Sequence, residues 1–333
     1  MKKVFVTHKI PDTGITLLRK RGYKVRVSDK EILSHDELLA SVRWCDGLLS
    51  LLTDRIDREV IDANPALRVI SNYAVGYDNV DVRHATSRGI PVTNTPGVLT
   101  NAVAEHTIAL LLAIARRIVE ADQFMRAGKY RGWEPMLLLG GEMRGKTLGI
   151  VGLGRIGMRV AEIAAHGLGM RIVYHDRAPN KSFEDTVGAH LLGKDELLRT
   201  ADVVTLHLPL SQETRHFIGA RELAVMKKSA YLINTSRGPV VDEQALVEAL
   251  RNKTIAGAAL DVVEFEPRMA PGLAELSNVI VVPHTGSATF ETRTAMSEMA
   301  AKNIIAIFEG KKPLSVVNLE VLGKGRSENI SSL

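Results

Sequence analysis

The chain has 333 residues, of which 45% are hydrophobic and 24% charged, as is typical of globular proteins with room for two domains. Its 43 basic and 38 acidic residues are interspersed, and no basic block with interleaved aromatic residues favours nucleic-acid binding. The single cysteine, Cys45, excludes an intrachain disulfide, and the N-terminal apolar run is too short for a signal peptide. We therefore expect a cytoplasmic protein without a nucleic-acid partner, with Cys45 as a small core residue.

Short apolar runs alternate with helical patterns in the first hundred residues. A capping box from Ser34 to Glu37 marks the start of one helix, and two more are predicted at 12–21 and 56–63. Strands that alternate with helices predict a parallel α/β sheet of about five strands. These predicted strands are 3–7, 24–27, 46–52, 67–72 and 91–93.

A long apolar helix is predicted over 100–117, after a hinge at Pro96 and Gly97. Apolar residues cover most of its circumference, which predicts burial between large surfaces. Charged and polar residues interrupt its apolar run, so we expect no membrane partner. A looser segment follows over 125–145.

The most informative motif is a glycine turn with G-x-G-x-x-G spacing, formed by Gly152, Gly154 and Gly157 after a predicted strand. In a dinucleotide-binding unit these glycines allow a tight turn, a close approach of the pyrophosphate and close helix packing. Asp176 ends the next strand 19 residues after Gly157, where a ribose-binding carboxylate is expected. The alternative is a glycine turn without a nucleotide; the strand and the acid that follow favour the nucleotide site.

The strand and helix pattern continues to the end of the chain, with a helix at 242–252 and a last long helix at 291–308. The predicted strands of this part are 147–152, 171–175, 202–206, 230–234, 256–260 and 278–282. We predict an α/β fold of two doubly wound, Rossmann-like parallel-sheet domains with a cleft between them. Residues 1–98 plus 288–333 would form the substrate domain and 99–287 the dinucleotide-binding domain, and no metal site is predicted.

Three polar residues follow predicted strands on the side where ligands bind in such sheets: Arg237, Glu266 and His284. Arginine presents a planar fork of donors to a carboxylate or a carbonyl oxygen. Histidine exchanges a proton near neutral pH, and a neighbouring carboxylate would favour its protonated form. Each also has a simpler interpretation: a surface or capping arginine, a solvated loop acid and a buried, satisfied histidine. Their common position at strand ends favours a redox site.

Several segments together resemble the D-isomer-specific 2-hydroxyacid dehydrogenases, and within that family the glyoxylate/hydroxypyruvate reductases. The resemblance covers almost the whole chain, and its segments are 72–81, 152–157, 234–238, 261–267 and 283–288. It implies that Arg237, Glu266 and His284 are the catalytic triad, with the histidine as proton donor and the arginine on the substrate. It also implies NAD(P)H-dependent reduction of a small 2-oxo acid to the D-2-hydroxy acid.

The resemblance further implies which residues bind the substrate and the cofactor. Backbone N–H groups of Val75 and Gly76 would hold the substrate carboxylate, with Leu52 beside the substrate. The implied cofactor residues, from the pyrophosphate through the ribose and adenine to the nicotinamide, are Gly152, Gly154, Arg155, Ile156, Gly157, Asp176, Leu208, Pro209, Thr235, Arg237, Asp261 and Gly286.

Cofactor choice and assembly are also expectations from these residues. Asp176 would repel a 2′-phosphate and favours NADH, whereas Arg177 beside it could accommodate the phosphate of NADPH. Relatives are usually homodimers, and Trp133 lies in a segment that resembles one reaching the partner's active site. An ordinary interface tryptophan is the alternative.

Competing functions remain within and outside the enzyme class. Glu266 argues against formate dehydrogenases, which have glutamine there, and Val75 argues against phosphite dehydrogenases, which have lysine there. A phosphoglycerate dehydrogenase of the short kind and a non-enzymatic NAD-sensing corepressor-like module stay open. The sequence leaves open which 2-oxo acid is preferred and the physiological direction.

Overall fold

The computed structural model describes residues 1–322, which form two compact units. One unit comprises Met1–Leu99 and the segment from Ala288 onwards, and the other comprises Thr100–Ser287. Residues 323–333, which the sequence assigned to the substrate domain, lie outside the described part. Each unit is built on a parallel sheet with helices, which confirms the predicted fold class.

The first unit contains the predicted five-stranded sheet, in the order β2-β1-β3-β4-β5, with all neighbours parallel. Its strands are β1 (Lys3–Val6), β2 (Lys24–Val27), β3 (Gly47–Ser50), β4 (Val69–Asn72) and β5 (Val92–Thr93). Its α-helices are α1 (Asp12–Lys20), α2 (His35–Trp44), α3 (Arg58–Asp62), α4 (Val82–Ser87) and, last in the chain, α12 (Phe290–Phe308). Every residue of β3 and β4 is buried, as expected for central parallel strands covered on both faces.

Local sequence signals explain the start of α2 and the burial of the cysteine that follows it. Ser34 Oγ accepts the Glu37 N–H at 3.3 Å and Glu37 returns the bond to the Ser34 N–H at 3.0 Å, so the predicted capping box starts α2. Cys45, 1% exposed, ends that helix in the core. Burial raises the pKa of its thiol to about 12, so it is a protonated core residue, as predicted.

The second unit contains a seven-stranded parallel sheet in the order β12-β11-β10-β9-β6-β7-β8. Its strands are β6 (Thr147–Val151), β7 (Arg171–His175), β8 (His190–Leu191), β9 (Val203–Leu206), β10 (Tyr231–Asn234), β11 (Gly257–Leu260) and β12 (Val279–Val281). Its α-helices are α5 (Thr100–Ala115), α6 (Ile118–Arg126), α7 (Arg155–Leu168), α8 (Lys181–Val187), α9 (Lys194–Thr200), α10 (Ala220–Val225) and α11 (Glu243–Arg251).

The buried helix predicted at 100–117 is α5, which ends at Ala115 because Arg117 adopts a left-handed conformation (φ 54°). A second helix, α6, follows directly, and the sequence did not predict it. Its last two residues overlap the looser segment that was expected over 125–145. Among residues 1–322, no helix combines the length and apolarity needed to cross a bilayer.

Candidate active site

The three glycines of the turn after β6 have the separate roles that the motif predicts. Gly152 has φ 93°, and a Cβ there would lie 2.9 Å from the His207 carbonyl oxygen. A Cβ on Gly157 would lie 2.3 Å from the Gly152 carbonyl oxygen, so α7 packs directly on the turn. Around Gly154, by contrast, a Cβ would meet no atom within 4 Å. The turn therefore excludes side chains at its first and third glycines and leaves its second open.

The open side of this turn fits a pyrophosphate. Gly154 is the N-cap of α7, and both it and Arg155 are exposed. The first N–H groups of a helix lack partners within the helix, and its dipole favours an anion there. Ile156 is half-buried at the same end. The backbone at this end of α7 thus offers donors and space to the phosphates of a dinucleotide.

Asp176 connects the glycine turn to the end of β7. Its Oδ2 accepts the Leu153 N–H at 2.7 Å, and its Oδ1 accepts the Arg177 N–H at 2.6 Å. These bonds fix the carboxylate beside the turn, where the sequence predicts a ribose. The guanidinium of Arg177 belongs to an exposed residue next to it.

The segment after β9 lies against the other side of the turn. Leu208 Cδ2 lies 3.1 Å from the position that a Cβ on Gly152 would take, and Pro209 after it is exposed. Burial lowers the pKa of the neighbouring His207 to about 3, so its imidazole is neutral at pH 7. Leu208 and Pro209 thus present an apolar surface beside the glycine turn.

His284 and Glu266 lie together beyond β12 and β11. His284 Nδ1 and Glu266 Oε2 are 3.2 Å apart, and both side chains are partly exposed. His284 has φ 52°, and its N–H donates to the Asp261 carbonyl oxygen at 2.9 Å. Because Nδ1 faces the carboxylate, Nε2 is the ring nitrogen that can exchange a proton with a ligand.

Arg237 follows β10 in a turn that Asn234 organises. Asn234 Oδ1 accepts the Ser236 N–H at 3.0 Å, and its Nδ2 donates to the Arg237 carbonyl at 3.0 Å. The next residue must be glycine, since a Cβ on Gly238 would lie 1.9 Å from the Val263 carbonyl oxygen. The arginine turn therefore packs on the backbone that leads to Glu266.

Asp261 holds the loop that carries His284. It is 2% exposed, and its oxygens accept the N–H groups of Thr285 at 2.6 Å and Gly286 at 2.8 Å. Burial alone would raise the pKa of this carboxyl, but the imidazole of His106 and these N–H groups outweigh it and lower the pKa. The carboxylate is therefore ionised and fixed at the end of β11.

Helix α5 supplies two residues to this edge that the sequence did not assign to the site. His106 Nε2 lies 3.3 Å from Asp261 Oδ1, although out of hydrogen-bond alignment. Thr107 and Thr235 join their hydroxyls at 2.8 Å; because Thr107 donates to the Val103 carbonyl, Thr235 is the donor in that pair. In the sequence, these two polar residues stand next to each other in a mainly apolar helix, and that pattern could have indicated a role at the site.

In the first unit, Val75 and Gly76 follow β4 in a turn whose carbonyls are fixed by amide side chains. Asn94 Nδ2 donates to the Val75 carbonyl at 2.8 Å, and Asn72 Nδ2 donates to the Gly76 carbonyl at 2.9 Å. Within residues 1–322, neither N–H of this pair donates a hydrogen bond. Two adjacent free N–H groups suit a carboxylate.

Leu52 lies in the turn after β3, half-buried, and Asn79 holds that turn. Asn79 Nδ2 donates to the carbonyls of Leu51 and Asp54, at 2.9 and 3.0 Å. Asn72 donates to Asn79 Oδ1 at 3.0 Å, which links this turn to the Gly76 turn. Both asparagines belong to the segment 72–81 that carries part of the family resemblance, but the sequence analysis assigned no role to their side chains.

Comparisons with known proteins agree with these features. The model of the family “D-isomer specific 2-hydroxyacid dehydrogenase, NAD binding domain” matches residues 108–286. Glyoxylate reductase from Thermococcus litoralis is 49% identical over 325 residues, which cover 96% of this chain and 98% of that protein.

Solved structures give the same result. A protein from Thermus thermophilus matches with a TM-score of 0.90 at 46% identity, covering 95% of this chain and 99% of that one. The NADPH-dependent glyoxylate/hydroxypyruvate reductase of Sinorhizobium meliloti, in complex with NADP and malonate, matches with a TM-score of 0.83 at 34% identity, over 95% and 96%. The resemblance inferred from the motifs is confirmed: the chain belongs to the D-isomer specific 2-hydroxyacid dehydrogenases.

Proposed function

We propose that the protein reduces a small 2-oxo acid, glyoxylate or hydroxypyruvate, to the corresponding 2-hydroxy acid with NADH or NADPH. The single observation that carries this proposal is the 3.2 Å contact between His284 Nδ1 and Glu266 Oε2, at the sheet edge that also carries the glycine turn. The names of its relatives, glyoxylate reductases, support this substrate class.

The chain's own residues would divide the chemistry as follows. His284 donates a proton from Nε2 to the carbonyl oxygen. Glu266 holds the orientation of the ring and stabilises its protonated form before the transfer. Arg237 presents its guanidinium to the substrate carboxylate and carbonyl oxygen. When bound, the dihydronicotinamide supplies the hydride that the carbonyl carbon receives.

The second unit would hold the cofactor along the end of its sheet. Gly152, Gly154, Arg155, Ile156 and Gly157 would face the pyrophosphate. The remaining contacts, from ribose and adenine to nicotinamide, would come from Asp176, Leu208, Pro209, Thr235, Arg237, Asp261 and Gly286. We favour NADH because Asp176, the acid expected at the ribose, would repel a 2′-phosphate, and NADPH remains the alternative through Arg177.

The first unit would contribute the substrate's other contacts. The free N–H groups of Val75 and Gly76 suit its carboxylate, and Leu52 would border its small side chain. We further propose a homodimer, supported by the exposed apolar segment around Trp133, and a cytoplasmic location, supported by the buried, free thiol of Cys45.

The test mixes the purified full chain with NADH or NADPH and one of glyoxylate, hydroxypyruvate or 3-phosphohydroxypyruvate, and follows the absorbance of the reduced nicotinamide. We expect turnover with the first two acids and a higher kcat/KM with NADH. His284→Ala should lower kcat about 10²- to 10⁴-fold, because it removes the proton donor. His166→Ala, at an exposed position of α7, should leave kcat unchanged.

Each alternative has its own result in this assay. Preference for the phosphorylated acid would indicate a phosphoglycerate dehydrogenase, and no absorbance loss with any 2-oxo acid would indicate a binding module. A preference of about tenfold for NADPH, equivalent to about 1.4 kcal/mol, would overturn the assignment of NADH. Full activity in His284→Ala would refute the proposed proton donor.

A further inference from the structure

Glu243, the first residue of α11, is a buried carboxylate in a position where acids are normally solvated. It is 2% exposed, although glutamate is rarely buried to this degree without partners. The first turn of α11 is already capped by Asp242, whose side chain accepts the Ala245 N–H at 3.0 Å. The burial of Glu243 therefore serves something other than capping its own helix.

The partners of Glu243 are the two ends of the loop that carries Glu266. Its Oε2 accepts the Glu264 N–H at 2.6 Å, and its Oε1 accepts the Ala270 N–H at 2.8 Å. These N–H groups belong to residues two before and four after Glu266. One carboxylate thus closes the loop at both ends, with one of its two oxygens accepting a hydrogen bond at each position.

Glu264 returns the contact and fixes the entrance of the loop. Its side chain, 5% exposed, accepts the Glu243 N–H through Oε2 at 3.2 Å. Its Oε1 lies 2.6 Å from His216 Nε2 and 3.4 Å from Arg215 Nη1, which offsets the proximity of two acids. The same entrance contacts Gly238, so this network borders the turn of Arg237 as well.

We propose that Glu243 is a positioning residue that holds Glu266 against His284 by closing the loop over 264–270. The inference rests on the proposed function, since it needs Glu266 to act through His284. Glutamine at this position keeps the shape but offers one acceptor oxygen, so one loop N–H would face an NH₂ group. The loop would then open at one end, and the 3.2 Å contact of Glu266 with His284 would loosen.

A double-mutant cycle tests this coupling. Glu243→Gln, Glu266→Gln and the double variant are compared with the wild type for kcat with glyoxylate and for the Kd of NADH, measured by fluorescence. We expect Glu243→Gln to lower kcat about tenfold in the wild type and less than about twofold in the Glu266→Gln background, with Kd unchanged. The matched control is Glu248→Gln, an exposed glutamate on the same helix, which should leave kcat as it is.

Other results would overturn the positioning role or the proposed function. An equal loss of kcat in both backgrounds, or a loss of thermal stability with wild-type kcat, overturns the positioning role. If Glu243→Gln does not fold, Glu243→Asp is tested by the same criteria. The side chain of aspartate is one methylene shorter, so its carboxylate cannot reach both N–H groups. If the wild type is inactive, or if Glu266→Gln alone has wild-type kcat, the proposed function fails instead.

Discussion

At the scale of single residues, the turn after β4 orients the two free N–H groups that we propose for the substrate carboxylate. Asn94 binds the Val75 carbonyl, whose peptide group also contains the Gly76 N–H, and the Thr95 N–H binds the Ala74 carbonyl at 2.8 Å, whose peptide group contains the Val75 N–H. Because the C=O and the N–H of a trans peptide point in opposite directions, these bonds orient both N–H groups. Asn94 is itself held at its other end, where its Oδ1 accepts the Ser315 hydroxyl at 2.5 Å. The N–H groups that we propose for the substrate carboxylate are therefore oriented by hydrogen bonds to the carbonyls of their own peptide groups.

We predict that Asn94→Asp weakens substrate binding specifically. The substituted side chain presents a carboxylate oxygen to the Val75 carbonyl, and an unpaired buried polar group costs about 1–3 kcal/mol. The KM for glyoxylate should rise about tenfold or more, while the Kd of NADH stays constant. Ser315→Ala, which removes only the partner at the far end of Asn94, should change KM less than about twofold. An equal rise in both variants would contradict the role of the Val75 carbonyl.

Residues that could be chosen from the sequence differ in kind from those that could not. Arg237, Glu266 and His284 follow recognisable strands, and all three fall in the second unit, where the structure pairs two of them. Residues such as Asn94 and Glu243 act through contacts with distant backbone groups. Such contacts depend on how loops meet, and no local periodicity encodes them.

At the scale of elements, α7 carries two glycines with opposite requirements. Gly157 lies at the start of the helix, where the Gly152 carbonyl leaves no room for a Cβ. Gly167 lies near its end, where a Cβ would have its nearest contact at 4.0 Å, with Ile163. One glycine is required by packing on the nucleotide turn, and the other is a replaceable helix residue.

We predict that alanine at these two positions has effects of opposite sign. Gly157→Ala should weaken NADH binding about tenfold or more and lower Tm, because the added methyl group displaces the turn. Gly167→Ala should leave Kd unchanged and raise Tm by about 2 °C, since alanine stabilises a helix by about 0.5–1 kcal/mol. Fluorescence titration and thermal unfolding measure both quantities. Wild-type affinity for NADH in Gly157→Ala would show that the turn tolerates the shift.

Most of the elements that the sequence predicted have a buried face. The five strands of the first sheet and six of the second follow apolar runs, and α12 follows the last long helical pattern. The missed strand β8 has two exposed residues, and the missed helix α6 has no buried residue. With two residues, β8 is too short to show a hydrophobic period. Helix α6 does carry apolar residues, among them Ile118, Val119 and Met125, but it begins directly after the helix predicted over 100–117.

At the scale of the whole molecule, the segment over 118–139, here called the arm, concentrates exposed apolar side chains. It includes α6, of which no residue is buried. Large exposed apolar patches are rare on monomeric proteins and mark interaction sites, so a segment this rich in exposed apolar residues is a candidate interface. The large apolar side chains that the arm exposes are Ile118, Val119, Met125, Tyr130, Trp133, Met136 and Leu139.

We predict that the arm is the main contact of a homodimer, since a second copy would bury these side chains in both protomers at once. The wild type should have twice the mass of one chain in light scattering coupled to size exclusion at micromolar concentration. Met136→Glu combined with Leu139→Glu should shift it to the single-chain mass, because two charges would have to be desolvated in each copy. Ile32→Glu, at a position that is 78% exposed in the other unit, should leave the dimer intact. A wild type that runs at the mass of one chain, or a control that dissociates as readily as the double variant, would rule out the arm as the interface.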